Sequence, residues 1–215
     1  MTVPRDTKRV IALQEELHSH LPSDPALRVK TLESLLVEKG LLNSETVDRW
    51  IEVFREDVGP KNGARVVARA WTDPAFKQRL MTNASKAIVE LGYPQLEAKN
   101  LIVVENTTQR HNLVVCTLCS CYPWALLGIP PPWYRSFEYR TRVVHDPRGI
   151  LEEFGVALGD DVEIRVWDST ADVRYMVLPE RPDGTEQLGE EELAALVSRN
   201  SMVGTAKVAA PTRAG

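Results

Sequence analysis

The sequence predicts an α+β fold: an extended helical N-terminal arm, then a layered α/β domain with short strands. Three observations predict it. Apolar residues recur at helical spacing from Val10 to Leu91, between breaks marked by Pro and Gly. The pattern then shifts to short β-branched runs. All three cysteines of the 215-residue chain fall within six residues, directly after one of those runs. The expected boundaries are 1–95 for the arm and subunit-interface region, 96–205 for the domain holding the cysteines, and 206–215 for a tail that frays.

Each element has its own signal. Val10, Ile11, Leu13 and Leu17 mark a first helix. Leu21 to Pro25 breaks it, with Ser23 or Asp24 placed to cap a second and Pro25 in its first turn. That helix carries Leu27, Leu32, Leu35 and Leu36 and stops near Gly40. Ser44 is placed to cap a third, with Val47, Trp50, Ile51, Phe54 and Val58 on one stripe, ended by Gly59-Pro60. Asp73-Pro74 opens a further helix through Phe76, Leu80, Ile88 and Leu91, closed at Gly92 to Pro94. Leu101 to Val104 and Leu113 to Val115 read as strands, so the cysteines leave the second strand in a loop. The Pro-rich stretch from Tyr122 to Tyr134 excludes long helix and central strand. Pro147 to Phe154 reads as a short helix, Val162 to Trp167 and Tyr175 to Leu178 as strands, and Glu190 to Arg199 as a last helix with acidic residues at its start. The apolar stripes of the arm have no evident cover within so short a segment, which points to a subunit interface.

Composition narrows the function. The net charge is −4 without a Lys/Arg run, which argues against nucleic-acid binding. No apolar stretch approaches the ~20 residues of a membrane span. The first residues lack the apolar core of a secretion signal, so a cytoplasmic location is expected. An odd, crowded set of cysteines argues for metal or redox work, not a disulfide framework.

The loop Cys116-Thr117-Leu118-Cys119-Ser120-Cys121 can present more than sulfur. Cys116 and Cys119 can reach one ion around a tight turn, and Cys121 adds a third thiolate. The peptide nitrogens of Ser120 and Cys121 lie between the last two sulfurs and, deprotonated, would complete five positions with a sixth left open. Such a strong-field set suits trivalent cobalt or iron better than zinc. An open position on a Lewis acid is what hydration or hydrolysis requires. The thiolates are also oxidisable, and oxidation tunes the charge at the metal. A redox pair leaves the third cysteine unexplained. A zinc site needs a fourth ligand, and His18, His20, His111 and His145 are poorly placed to give one.

Val115 to Trp124 resembles the metal-binding claw of nitrile hydratase alpha subunits. The likeness extends through Gly63 to Trp71, Val104 to Asn106, Leu127 to Pro130, Trp133-Tyr134, Tyr139 to Val144, Arg165 to Asp168, Arg174 to Pro179 and Gly184-Thr185. It implies a hydro-lyase subunit that turns a nitrile and water into an amide. Cys116 would be the axial thiolate, Cys119 a sulfinic acid and Cys121 a sulfenic acid, with the nitrogens of Ser120 and Cys121 completing the claw. The catalytic residues would be Cys119, Ser120 and Cys121, with the Cys121 sulfenate acting as nucleophile or as base on a water. Thr117 and Tyr122-Pro123 look like the cobalt(III) form, one ion per subunit; Trp133 to Tyr139 reads equally like the iron(III) form. The implied partner is a beta subunit, in a heterodimer or heterotetramer, whose arginines bind the oxidised sulfurs; within this chain Arg110 and Arg135 are nearest in sequence. Trp124 would line the substrate pocket, and Asp168 and Arg174 would stand close behind the ligands. Where the family often has Gln, this chain has Glu97, with Gln95 nearby. The gamma subunit of thiocyanate hydrolase has a similar claw but an arginine where this chain has Trp124; an indole there favours neutral nitriles. A non-catalytic metal-binding protein is the remaining alternative.

Overall fold

Pro25, Gly40 and Asn43 set the first two helices of the computed structural model, which describes residues 24–56, 58–93 and 100–210. The expected first helix, with His18 and His20, lies outside the described residues, as do Gln95, Glu97 and the tail beyond Ala210. The chain divides into two compact units, Met1–Glu52 and Val53–Gly215.

In the first unit, α1 spans Asp24–Glu38. It ends as expected at Gly40, whose φ of 65° lets the chain reverse. The N–H of Gly40 donates to Val37 O and that of Leu41 to Leu36 O, which closes the orphan carbonyls in a Schellman motif. The second helix, α2, spans Ser44–Glu56, so its last four residues fall past the Glu52 division. The Asn43 side chain, not Ser44, caps it by accepting the Glu45 N–H at 2.8 Å. Leu27, Leu32, Leu35, Leu36, Trp50 and Ile51 are exposed.

The second unit is built around a helix that no bulky apolar stripe announces. Gly59-Pro60, expected to end a helix, also begins one: Pro60 is the first residue of α3, Pro60–Thr72. Its buried residues are small, among them Gly63, Ala64, Val66, Val67 and Ala70, so it packs closely and shows no bulky stripe. A Cβ on Gly63 would come within 2.8 Å of Leu126 O and 2.6 Å of the Met202 sulfur. The single helix expected after Asp73 is two, α4 (Pro74–Thr82) and α5 (Ala84–Glu90). Asn83 divides them, its side chain taking the Lys86 N–H at 3.0 Å; Asn competes for backbone donors, and such a cap contributes about 1 kcal/mol.

The strands form two parallel pairs. β1 (Asn100–Glu105) pairs with β4 (Val173–Leu178), and β2 (Arg110–Val115) with β3 (Glu163–Asp168). Val103, Leu113, Val114, Met176 and Val177 bury the sheets against Val66, Val67, Leu80 and Val143. In the β2–β3 register Val115 faces Asp168. This sets Asp168 beside the residue from which the cysteine loop departs.

The Pro-rich stretch holds two single-turn helices, α6 (Trp124–Leu127) and α7 (Pro132–Arg135). After them α8 (Phe137–His145), also unassigned from the sequence, is capped by the Ser136 side chain. α9 (Pro147–Glu153) follows as expected. The last expected helix ends early as α10 (Glu190–Leu196), and a further short helix, α11 (Arg199–Val203), follows it, capped by the Ser198 side chain.

A buried polar network crosses the sheets. Asn106 Oδ1 accepts from Asn112 N at 2.8 Å, and Trp167 Nε1 donates to Asn112 Oδ1 at 2.9 Å. His111 Nε2 lies 2.6 Å from Gly204 O, and Nδ1 lies 3.3 Å from Asn106 Nδ2. A carbonyl only accepts, so Nε2 carries the proton and Nδ1 accepts from the amide. Burial holds the imidazole below its ordinary value of 6.5, with the Lys207 charge adding to the shift and the Gly204 carbonyl opposing it. A depressed folded-state value means that the unfolded chain takes up this proton first. The stability contribution is therefore complete above pH 6.5 and is lost as pH falls below it. Thermal melts at pH 7.5 and 5.5 should show a drop that His111→Gln makes smaller. Titration of Glu153, Glu163 and Glu186, all shifted below the usual 4.5, belongs to a more acid window.

Candidate metal centre

Cys116 follows β2 directly and is buried; Cys121 is half-buried and Cys119 exposed. Their three sulfurs lie within 4.8 Å of one another. Cys119 Sγ is 3.5 Å from Cys116 Sγ and 3.3 Å from Cys121 Sγ. The turn that brings them together is closed by the Cys119 N–H, which donates to Cys116 Sγ at 3.3 Å. The N–H groups of Ser120 and Cys121 also favour the Cys119 thiolate.

The sulfurs polarise one another unequally. Hydrogen bonds from the Cys121 and Cys116 thiols, then from the Ser120 N–H, pull Cys119 down to about 7. Burial, then the neighbouring Cys119 and Cys116, pushes Cys121 up to about 12, while the Arg174 charge acts against that rise. Three thiols so close cannot all ionise without a cation among them. The donor set thus fits one metal ion: three sulfurs converge and two amides face the same side.

The surroundings hold this loop from several elements. Asp168, at the end of β3, accepts from Thr117 N at 3.0 Å and Thr117 Oγ1 at 2.6 Å. Tyr134 of α7 donates its hydroxyl to Cys121 O at 2.9 Å. On α8, Tyr139 donates to Val114 O at 2.8 Å, and Arg140 Nη1 lies 3.4 Å from Thr117 O and 3.5 Å from Cys119 O. Beneath them, Trp133, Tyr139 and Phe154 pack edge to face at 4.9 Å.

Cys116, Cys119, Ser120, Cys121, Asp168 and Arg174 are thus brought together. Trp124 opens α6 three residues past Cys121 and is 37% exposed; Leu118, at the tip of the loop, is 83% exposed. Glu97 lies outside the described residues. Of the arginines nearest in sequence, Arg110 is engaged with Glu163 at the other end of β2, and Arg135 is exposed. Arg140, which reading along the chain did not single out, makes the contact. Its spacing from the loop carries no motif, so only the resemblance of the Tyr139 to Val144 run marked it. A cleft of about 380 Å³ lined by Asn106, His111, Arg181 and Lys207 stands apart from the sulfurs. His111 and Arg181 there are already committed to backbone carbonyls, which makes the cleft a poor rival for the chemistry.

A buried-strand loop that converges three thiols and two amides defines a metal-claw enzyme subunit. The chain matches the nitrile hydratase alpha-chain family over residues 23–206 and belongs to that family. It is 52% identical over 189 residues to the alpha subunit of the low-molecular-weight cobalt-containing nitrile hydratase of Rhodococcus rhodochrous, covering 88% of this chain and 91% of the relative. An iron-type nitrile hydratase structure from Comamonas testosteroni Ni1 superposes with a TM-score of 0.82 at 42% identity, covering 88% of this chain and 95% of that one. The gamma subunit of thiocyanate hydrolase from Thiobacillus thioparus is 39% identical over 196 residues, covering 86% and 80%. The lower identity places the thiocyanate enzyme farther off.

Proposed function

We propose that this chain is the metal-bearing alpha subunit of a nitrile hydratase, a hydro-lyase that turns a neutral nitrile and water into the amide. The convergence of Cys116, Cys119 and Cys121 within 4.8 Å carries the reading. Those sulfurs and the nitrogens of Ser120 and Cys121 would hold one cobalt(III), or less favourably iron(III); the 52% identity to a cobalt-containing relative supports cobalt. Bound there, the ion supplies a Lewis acid for nitrile or water.

The chain's own residues do the rest. Cys116 forms the buried floor, and Asp168 fixes the start of the loop through both donors of Thr117. Cys119 as sulfinate and Cys121 as sulfenate would face the open side, where the Cys121 oxygen attacks the nitrile carbon or takes a proton from water. Those oxygens are anionic and need donors. Arg140 and Arg174 are the cations this chain brings near, and arginines of a beta subunit would complete the set. The helical arm would cover that partner, in an αβ heterodimer or its doubled form. Trp124 gives an apolar wall, which disfavours an anion such as thiocyanate. No helix among the described residues is long and apolar enough to cross a membrane, and the assembly would work in the cytoplasm.

Co-expression with a beta-type partner, followed by metal analysis, mass spectrometry of the loop and a nitrile-to-amide assay, tests the reading. We expect cobalt, two oxidised cysteines and amide formation, with little activity from the chain alone. Unmodified thiols in a fully metallated complex would defeat it in favour of a non-catalytic metal carrier.

A further inference from the structure

The backbone oxygens around the cysteine loop are taken one by one. Val114 O accepts from Tyr139 OH, Val115 O from Ser169 N, Thr117 O and Cys119 O from Arg140, and Cys121 O from Tyr134 OH. These donors come from outside the loop. The three sulfurs lie within 4.8 Å of one another, and none of these donors is shared with them.

That division has a covalent consequence. In a planar trans peptide the carbonyl and the next N–H point in opposite directions. No cis peptide occurs among the described residues. Holding Cys119 O against Arg140 therefore turns the Ser120 nitrogen away from α8. One Arg140 nitrogen spans Thr117 O and Cys119 O, two residues apart, so it pins both ends of the turn between the first two sulfurs.

We propose that Arg140 is a positioning residue of the claw, which aims the Ser120 backbone nitrogen at the metal position by restraining the Thr117 and Cys119 carbonyls. This rests on the metal-claw reading above. Arg140 reaches the ion only through the backbone it holds.

The geometry also separates this role from fold maintenance. Tyr134 and Tyr139 are buried core residues, and their loss would disturb the aromatic cluster. Arg140 is half-buried on a helix that Ser136 caps and that Tyr139 and Val143 anchor. Thr117 is half-exposed and Cys119 exposed, so water can take over their carbonyls when the guanidinium is removed. The fold survives while the turn loses its restraint.

The test uses Arg140→Met and Arg140→Lys in the full chain co-expressed with its beta-type partner. For Arg140→Met we expect a nearly unchanged thermal midpoint but about a tenfold loss of cobalt uptake at limiting metal, the usual scale for a residue that orients ligands. In the metallated fraction the sulfur-to-metal absorption band should shift, and kcat should fall with KM nearly unchanged. Arg140→Lys, whose ammonium can replace that one nitrogen but sits on a shorter side chain, should recover uptake only in part. Parental uptake and an unshifted band in Arg140→Met would overturn the proposal. If that variant does not fold, parental uptake in Arg140→Ala, which removes every donor and keeps a strong helix former on α8, does the same. A parent that binds cobalt with the expected band but hydrates no nitrile would sink the hydratase assignment and leave this inference standing.

Discussion

Gly204→Ala is expected to unfold the protein or to lower its stability by about 4 kcal/mol or more, beyond the usual range of single substitutions. Gly204 closes α11 at φ 95°, a conformation that costs an L side chain about 1–2 kcal/mol on its own. The larger cost is collision. A Cβ there would lie 1.9 Å from Asn112 O and 3.1 Å from Leu113 Cα, both in strand β2. Backbone cannot yield as a flexible side chain can. Moving Gly204 would also withdraw the carbonyl that accepts from buried His111 and leave a buried donor unpaired, at about 1–3 kcal/mol. Gly184→Ala is the internal control: its φ is 76° but nothing lies within 4 Å of the added carbon, so it should show the backbone penalty alone. Equal losses in the two variants, by denaturant titration, would refute the collision argument.

The same close approach shows why some of the fold was illegible in the sequence. Strand runs such as Leu113 to Val115 announce themselves by composition, but their partners do not. The parallel β1–β4 and β2–β3 pairs join segments more than fifty residues apart, and no local signal encodes that choice. α3 escaped because its buried face is made of Gly, Ala and Val, which carries helical period without bulky markers. Asn83 divides a stretch that reads as one helix, and Ser198 starts another just where the last expected helix ends, since capping depends on where the side chain turns. At the candidate site the sulfurs were legible, because three cysteines in six residues admit few bland readings. Thr117 was noticed only as part of a family likeness. The structure supplies its physical partner, Asp168, and that contact follows from strand register, not from spacing. Arg140 meets the loop because α8 lies beside it, a contact that no spacing along the chain encodes.

Cys121→Ser should abolish nitrile hydration, by roughly a thousandfold or more, as removal of an essential reacting group does. The substitution keeps the Ser120 and Cys121 backbone nitrogens and leaves Cys116 and Cys119 in place, so part of the donor set survives. What it removes is specific. A hydroxyl cannot be oxidised to a sulfur–oxygen species, and in this half-buried position, where even the thiol is pushed up to about 12, a serine stays neutral. Neither an attacking oxygen nor a base remains at residue 121. Metal content measured on the same sample decides what the loss means. If metal is retained and hydration is gone, the Cys121 oxygen takes part in the reaction. If both are gone, the sulfur is needed first as a ligand, and the chemistry must be probed in a variant that still binds. If metal is retained and hydration persists, the Cys121 oxygen is excluded as nucleophile, and an attacking water must be activated by some other group of the assembly.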